Sequence, residues 1–310
     1  MSAPEGLRAI LTCPVCLDSD LHGFGDPASG ELRCSRCAAA YPVVDGIPVL
    51  VAAAGEDAYK ARQAAFFDAE QDDEYEITRP HGTPAFHRYL LEEKFRRSVS
   101  ALRPLLPGSS ALTVCGGSGM DAEFLARAGA SVVSSDISLG AARRARERAR
   151  RFGLALTPIV ADAERLPVRN RAVDLGYVHD GLHHLERPRR ALGELARSSR
   201  RAVSVTEPAQ AALTALAVRV GLAQDREEAG NRVERLRPEA IERELREAGF
   251  EIAASSRYAM LYRHEAGPVA RSLSGPLMPL GKAALEGLNR LAGGLGNKLT
   301  VQAVRPEAGP

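Results

Sequence analysis

The stretch Leu112–Asp136, LTVCGGSGMDAEFLARAGASVVSSD, decides the fold. It runs from an apolar segment through a glycine cluster and a helical stretch into a second apolar run ending in Asp136. That order is the first half of a nucleotide-binding βαβ unit. Gly117-Ser118-Gly119-Met120-Asp121-Ala122 satisfies G-x-G-x-x-G/A, and Asp136 lies where an acid would hold a ribose. The glycines let the backbone turn tightly and pass close to a ligand. The loop alone fits two ligands: NAD, with its pyrophosphate on the helix N-terminus, or S-adenosylmethionine.

Working outward, strand and helix patterns alternate. Strands are expected at 111–115, 131–135, 156–160, 173–178 and 202–206, and helices at about 119–128, 138–152, 188–198 and 238–248. Such alternation means a parallel sheet covered on both faces. Residues 250–260 and 297–304 read as a final antiparallel pair, separated by about 35 residues rich in Leu, Gly and Pro. Upstream, residues 52–105 read as helical and polar, interrupted by TRPHGTP (78–84). Pro104, Pro107 and Gly108 mark the boundary before the first strand of the sheet.

At the N-terminus, Cys13-Pro-Val-Cys16 and Cys34-Ser-Arg-Cys37 stand 17 residues apart. This C-x2-C-x17-C-x2-C spacing falls in the zinc range. Each pair aims two thiolates at one point, and four thiolates complete a closed tetrahedral site with no open position for substrate. Few core residues surround the pairs, so the metal would supply much of the module's stability. Tyr41–Val51, YPVVDGIPVLV, then reads as two short strands around an Asp-Gly turn.

The cysteine pairs followed by Y-P-V-V-D-G-I-P-V-L resemble, over about residues 10–51, the small zinc-ribbon proteins that activate tRNA and protein methyltransferases. Farther along, IVADAERLPVRNRAVDLGYVHDGLHHL (159–185) supplies what the glycine loop withholds. A strand ends at Asp162-Ala163, Leu166-Pro167 follow, Asp174 opens the next strand, and a GLHHL tail closes it. That order, over about 106–260, resembles the class I S-adenosylmethionine-dependent methyltransferases of the small-molecule branch. The resemblance implies a Rossmann-like seven-stranded α/β sheet with a small four-cysteine ribbon. The division it implies is a ribbon at 1–51, a helical linker or lid at 52–105 and a methyltransferase domain at 106–310, with a substrate cap inserted at about 263–297. It implies S-adenosylmethionine and structural zinc as cofactors, with Cys13, Cys16, Cys34 and Cys37 on the metal. Tyr75, Cys115, Gly116, Gly117, Gly119, Asp136, Ile137, Asp162, Ala163 and His179 are the cofactor contacts it implies. Asp136 would take the ribose hydroxyls and Asp162-Ala163 the adenine.

Two departures stand out. The family's first strand usually reads D-V-G-C-G-T-G, whereas this chain has Thr113 for the acid and Cys115 for the first glycine. Cys115 reads as a small packed residue, not a nucleophile. Methyl transfer from a sulfonium is an in-line displacement in which the cofactor carries the activated group. The protein orients and excludes water, and a general base is needed only if the acceptor must lose a proton. His179, Asp180 and His184 are the catalytic candidates, with His183 and Glu207 nearby in sequence; Glu207 also reads as a structural acid at a strand end. Tyr75, Arg79 and His81 fall on the expected lid, and Glu227–Leu236 reads equally as acceptor-pocket lining or a helix connection. Glu164 reads as solvent-facing, and AARRARERARRF (141–152) as a solvated basic helix face.

The chain has 310 residues, 45% apolar and 26% charged, with formal net charge +2. Length and composition suit a soluble two-part protein with a real core. The near balance of charge gives no whole-protein field toward nucleic acid or an anionic membrane. No apolar run reaches the roughly 18 residues of a membrane span, and the N-terminus does not read as a signal peptide; a cytoplasmic protein is expected. The leading reading is methyl transfer to a small or lipid-like acceptor; Pro268–Gly296 reads equally as a cap over it or as extra core helices. An rRNA or tRNA base methyltransferase using the ribbon for recognition is the alternative, followed by a non-catalytic scaffold and an NAD-linked enzyme. The chain has no Trp and no basic groove interleaved with aromatics, so nucleic acid is not the favoured partner.

Overall fold

The computed structural model describes residues 5–17, 20–23, 30–52, 57–69, 72–210, 236–260 and 264–306. A short helix α1 (Glu5–Ile10) precedes four small strands: β1 (Leu21–His22), β2 (Glu31–Cys34), β3 (Ala40–Val44) and β4 (Ile47–Leu50). Helices α2 (Ala58–Asp68), α3 (Asp73–Thr78) and α4 (Ala85–Ser98) follow. Asp57 and Asp72 start the first two, their carboxylates accepting backbone N–H groups that the first helical turn leaves over.

From β5 (Ser110–Val114) the chain alternates: α5 (Met120–Arg127), β6 (Ser131–Asp136), α6 (Leu139–Phe152), β7 (Leu156–Ala161), β8 (Val173–His179), α7 (Pro188–Ser198) and β9 (Ser199–Pro208). Then come α8 (Pro238–Glu247), β10 (Glu251–Tyr258), α9 (Pro268–Ser272), α10 (Met278–Ala292) and β11 (Lys298–Val304). These seven strands lie in the order β7-β6-β5-β8-β9-β11-β10. The first five are parallel, and β11 runs antiparallel to both its neighbours. Apolar side chains fill both faces of β5 and β8, because helices cover the sheet on each side. The strand order reverses at β5, which pairs with β6 on one side and β8 on the other. A ligand crevice is expected at the carboxyl ends of the strands there.

The cysteine-bearing segment continues this sheet. β4 pairs in parallel with β7, Val49 opposite Val160 and Leu50 opposite Ala161, so the sheet runs to eleven strands among the described residues. A second seam joins the parts where Thr12 N–H donates to the Pro167 carbonyl (2.9 Å) and Arg169 N–H to that of Ile10 (2.8 Å). Apolar packing crosses the join without a break, from Leu11, Leu32, Tyr41 and Leu50 to Ile159, Leu166 and Val168.

The arginine-rich α6 corrects one expectation. Ala141, Ala142 and Ala145 face the protein interior as amphipathic spacing requires, but Arg144 and Arg148 are buried beside them. Arg148 pairs with Glu123 at 2.7 Å and also donates to the carbonyls of Ser118, Arg79 and Glu76. Arg144 reaches Asp73 and the Phe67 carbonyl. A buried guanidinium is tolerated when its five N–H groups find acceptors. These arginines fasten the segment before the sheet instead of facing solvent.

Candidate active site

At the expected edge lies a cleft of about 540 Å³, within the range of ordinary small-molecule sites. Its donor end is built by the β5–α5 turn and the ends of β6 and β7. Cys115, Gly117 and Gly119 all have positive φ, at 51°, 52° and 80°. Gly116 has no room for a side chain, since a Cβ would fall 2.3 Å from Ser134 Oγ and 2.9 Å from Thr113 Oγ1. At Gly117 a Cβ would meet no protein atom within 4 Å; it would enter the cleft that Gly117 lines. The turn is therefore shaped for a ligand passing against bare backbone.

Asp136 closes the far side of that turn. Its carboxylate accepts from Gly117 N (2.9 Å) and Ser138 N (3.0 Å), and burial pushes its pKa up despite those bonds. Asp162 follows β7, accepting from Glu164 N at 2.9 Å and from Lys60 Nζ at 2.8 Å. Thr113 donates to Ser134 Oγ at 2.9 Å, so the residue in place of the usual acid ties β5 to β6.

Of the cofactor contacts expected from sequence, Cys115, Gly116, Gly117, Asp136, Ile137, Asp162, Ala163 and His179 line the cleft. Gly119 and Tyr75 do not. Gly119 begins α5 beneath it, where a Cβ would press on Ala145 at 3.1 Å. The Tyr75 hydroxyl donates to the His264 carbonyl at 2.7 Å, joining α3 to the segment before α9. Arg79 lines the cleft, whereas His81 lies behind it on Glu123 at 2.6 Å. Burial pushes the Cys115 thiol well above its ordinary pKa, with Asp136 adding to the effect, which leaves it unreactive. Glu164, expected to face solvent, is buried and accepts from Lys60 and the Arg187 N–H; the capping turn after Asp162 points it inward. Of 227–236, only Leu236 falls among the described residues.

The other end of the cleft holds the ionisable groups. His179 ends β8 with its ring buried; Nδ1 lies 3.1 Å from Asp121 Oδ1 and 3.1 Å from the Tyr177 hydroxyl. The Tyr177 hydroxyl itself donates to Asp121 at 3.0 Å. Burial pushes the Asp121 carboxyl up, but His179 reverses this and the net shift is downward. An ionised carboxylate only accepts, so Nδ1 carries the ring proton and Nε2 is left as the basic nitrogen. Nε2 is buried without a hydrogen-bond partner, 3.8 Å from Asp180. Asp180 has Lys94 at 3.0 Å on one oxygen and Lys298 on the other. Burial raises the Asp180 carboxyl, yet the two ammoniums outweigh it and hold the pKa well below the usual range. His184 lines the cleft and packs edge-on to Phe67, its carbonyl accepting from the Tyr59 hydroxyl. Glu207 is buried on Gly181 N, Leu182 N and His183 Nδ1, bracing the loop after β8. Sequence reading missed Asp121, Lys60, Lys94 and Lys298; only Asp121 carried a signal, standing in the first turn after the glycines.

The four paired cysteines gather in the ribbon with all Sγ atoms within 4.8 Å of one another. Cys13 and Cys37 sulfurs are 3.7 Å apart, close to the ~3.8 Å edge of a tetrahedron with ~2.3 Å zinc–sulfur bonds. Backbone N–H groups of Val15, Arg36 and Cys37 point at the sulfurs, as a thiolate cluster requires. The donor set fits zinc.

A reversing parallel sheet with a terminal antiparallel hairpin, a bare-backbone turn and acids after the second and third strands define the class I methyltransferase fold. Comparison with known proteins gives the same class. Residues 112–202 match the methyltransferase domain family, and residues 7–46 the Trm112p-like proteins. The chain thus carries a methyltransferase domain over residues 112–202 and a Trm112p-like zinc ribbon over residues 7–46. It is 32% identical over 104 residues to a demethylmenaquinone methyltransferase of Renibacterium salmoninarum, covering 34% of this chain and 42% of that protein. The match therefore spans less than half of that relative's length. The ribbon end is 38% identical over 66 residues to a UPF0434 protein of Nitrosococcus oceani, covering 21% of this chain and 92% of that protein. Among solved structures, the SAH-bound magnesium protoporphyrin IX methyltransferase of Synechocystis PCC 6803 shares the fold. Its TM-score is 0.54 at 18% identity, over 80% of this chain and 100% of that one. Among the described residues, no helix is long and apolar enough to cross a membrane.

Proposed function

We propose that the enzyme methylates a small or lipid-like metabolite and that His179 accepts the acceptor's proton. The observation that carries this is His179 Nε2, buried in the cleft wall without a partner while Asp121 holds the opposite nitrogen. S-adenosylmethionine, when bound, supplies a methyl group already activated on sulfur. Asp136 would hold its ribose and Asp162 its adenine, while the glycine turn takes the methionine portion. Asp121 fixes the imidazole tautomer, and the cleft walls exclude water from the transfer.

An apolar cluster backs the acceptor end. Met260 lines the cleft there and belongs to a buried cluster behind the wall with Phe86, Leu90, Tyr258 and Leu285, against which Ala270 of α9 and Met278 of α10 pack. This supports the cap reading of the 263–297 insertion, and the demethylmenaquinone relative is in keeping with it.

Titration calorimetry with S-adenosylmethionine, S-adenosylhomocysteine and NAD tests the donor. Binding of the first two, lost in Asp136→Ala, is expected; binding of NAD alone would sink the reading. Label from methyl-labelled S-adenosylmethionine should enter an organic-soluble metabolite fraction and not RNA. His179→Gln should slow that transfer ~100-fold or more while leaving S-adenosylhomocysteine affinity within about twofold.

A further inference from the structure

The lysine pair at the acceptor end does work that methyl transfer as such does not require. Lys94 comes from α4 and Lys298 from the first position of β11, 86 and 118 residues from Asp180 in sequence. Both are buried, and both line the same cleft as His179 and the glycine turn. Asp180 is held in the left-handed region, φ 52°, with its N–H donating to the Thr206 carbonyl at 2.8 Å. A non-glycine residue held there carries backbone strain that its surroundings must sustain, and here the conformation sets one carboxylate between two ammoniums.

A lone buried carboxylate beside a methyl donor would select an amine. With an ammonium on each oxygen, that charge is answered. Among the described residues, Asp121 is engaged with His179 and Tyr177, and Glu207 with two backbone N–H groups and His183. Lys298 carries three protons on its ammonium, and burial together with neighbouring Lys94 pulls its pKa down against the pull of Asp180. A second anion would relieve that repulsion.

We propose, resting on the methyltransferase reading above, that Lys298 and Lys94 around Asp180 form a subsite for an anionic oxygen group, of the carboxylate class, on the methyl acceptor. The subsite admits acids and turns away amines. With Met260 in the same cleft wall, it fits an acceptor with an apolar body and an acidic end.

The test uses the full zinc-loaded chain saturated with S-adenosylhomocysteine, titrated with 3-phenylpropionate, 3-phenylpropanol and 3-phenylpropylamine, three probes of one shape. The acid is expected to bind ~10-fold or more tightly than the amine, the scale of one charge-assisted hydrogen bond. Lys298→Met should abolish the preference and Lys298→Arg keep it, with S-adenosylhomocysteine affinity reporting that each variant is folded. Equal or better binding of the amine overturns the proposal, as does failure of the acid to bind at millimolar concentration. If S-adenosylhomocysteine itself does not bind, the methyltransferase reading has failed; if it binds and the acid is not preferred, only the subsite has.

Discussion

Lys60 Nζ lies 2.8 Å from Asp162 and 3.0 Å from Glu164, so helix α2 reaches across the cleft and grips the acid proposed above to take the adenine. Burial pulls the Lys60 pKa down, but its two carboxylate partners raise it above the ordinary value. Lys60→Met leaves Glu164 buried with its charge unanswered, at a cost of about 1–3 kcal/mol. The melting temperature of the ligand-free protein should fall. The rise produced by S-adenosylmethionine should grow, because the ligand's adenine amine then meets an unclaimed Asp162. Melts with and without ligand check both; an unchanged ligand shift would mean that Lys60 and adenine do not share the carboxylate.

Cys115 occupies a conformation that favours glycine and packs so closely that a Cβ on Gly181 would fall 2.5 Å from its own. Cys115→Gly should relieve about 1 kcal/mol of backbone strain and raise the melting temperature by a few degrees. In the native protein the thiol should resist iodoacetamide, since burial and nearby acids keep it protonated. Rapid native labelling at neutral pH would contradict that environment.

Glu76 gives a pH dependence. Burial pushes its carboxyl up, but His264 and Arg79 more than reverse this and bring it down to about 2 from 4.5. A carboxyl depressed in the folded state stabilises above its unfolded pKa, and the contribution is lost as pH falls through the folded value. About 3 kcal/mol should therefore disappear between roughly pH 5 and pH 2. Glu76→Gln should flatten that limb of the plot of melting temperature against pH and lower stability at pH 7. If the two proteins show parallel acid limbs, Glu76 is not the group responsible.

Zinc removal should reach beyond the ribbon. Structural zinc sites contribute on the order of 10 kcal/mol to the folding of small domains. Cys34→Ser should lower the bound zinc measured by elemental analysis and speed amide exchange over 31–50. Because β4 covers β7, exchange at 156–161 should rise as well. A variant that loses zinc yet keeps 156–161 protected would show that the sheet edge stands without the ribbon.

The parallel strands were legible because strands buried on both faces read as apolar runs, and β5 through β9 fall within a few residues of the segments so read. The cysteine pairs were legible because four thiolates around one ion need that spacing. Lys60, Lys94 and Lys298 were not, because each is an unremarkable lysine until the fold brings it to a carboxylate 86 to 118 positions away. Arg148 failed in the opposite sense: in a run of arginines it reads as surface, and only Glu123 with three carbonyls makes its burial tolerable. The pairing of β4 with β7 carries no local signal, since either strand would look the same at a free edge.

That pairing also bears on how the chain reaches its native state. The unpaired edge of a parallel sheet invites other chains to add to it. Here the covering strand is tethered to the edge it covers, so it competes at an effective concentration on the order of millimolar, far above that of any stray strand. It also leaves the ribosome first, since domains tend to fold in the order of synthesis. β4 is thus on hand before β7 has been made, and the vulnerable edge has a partner waiting when it forms.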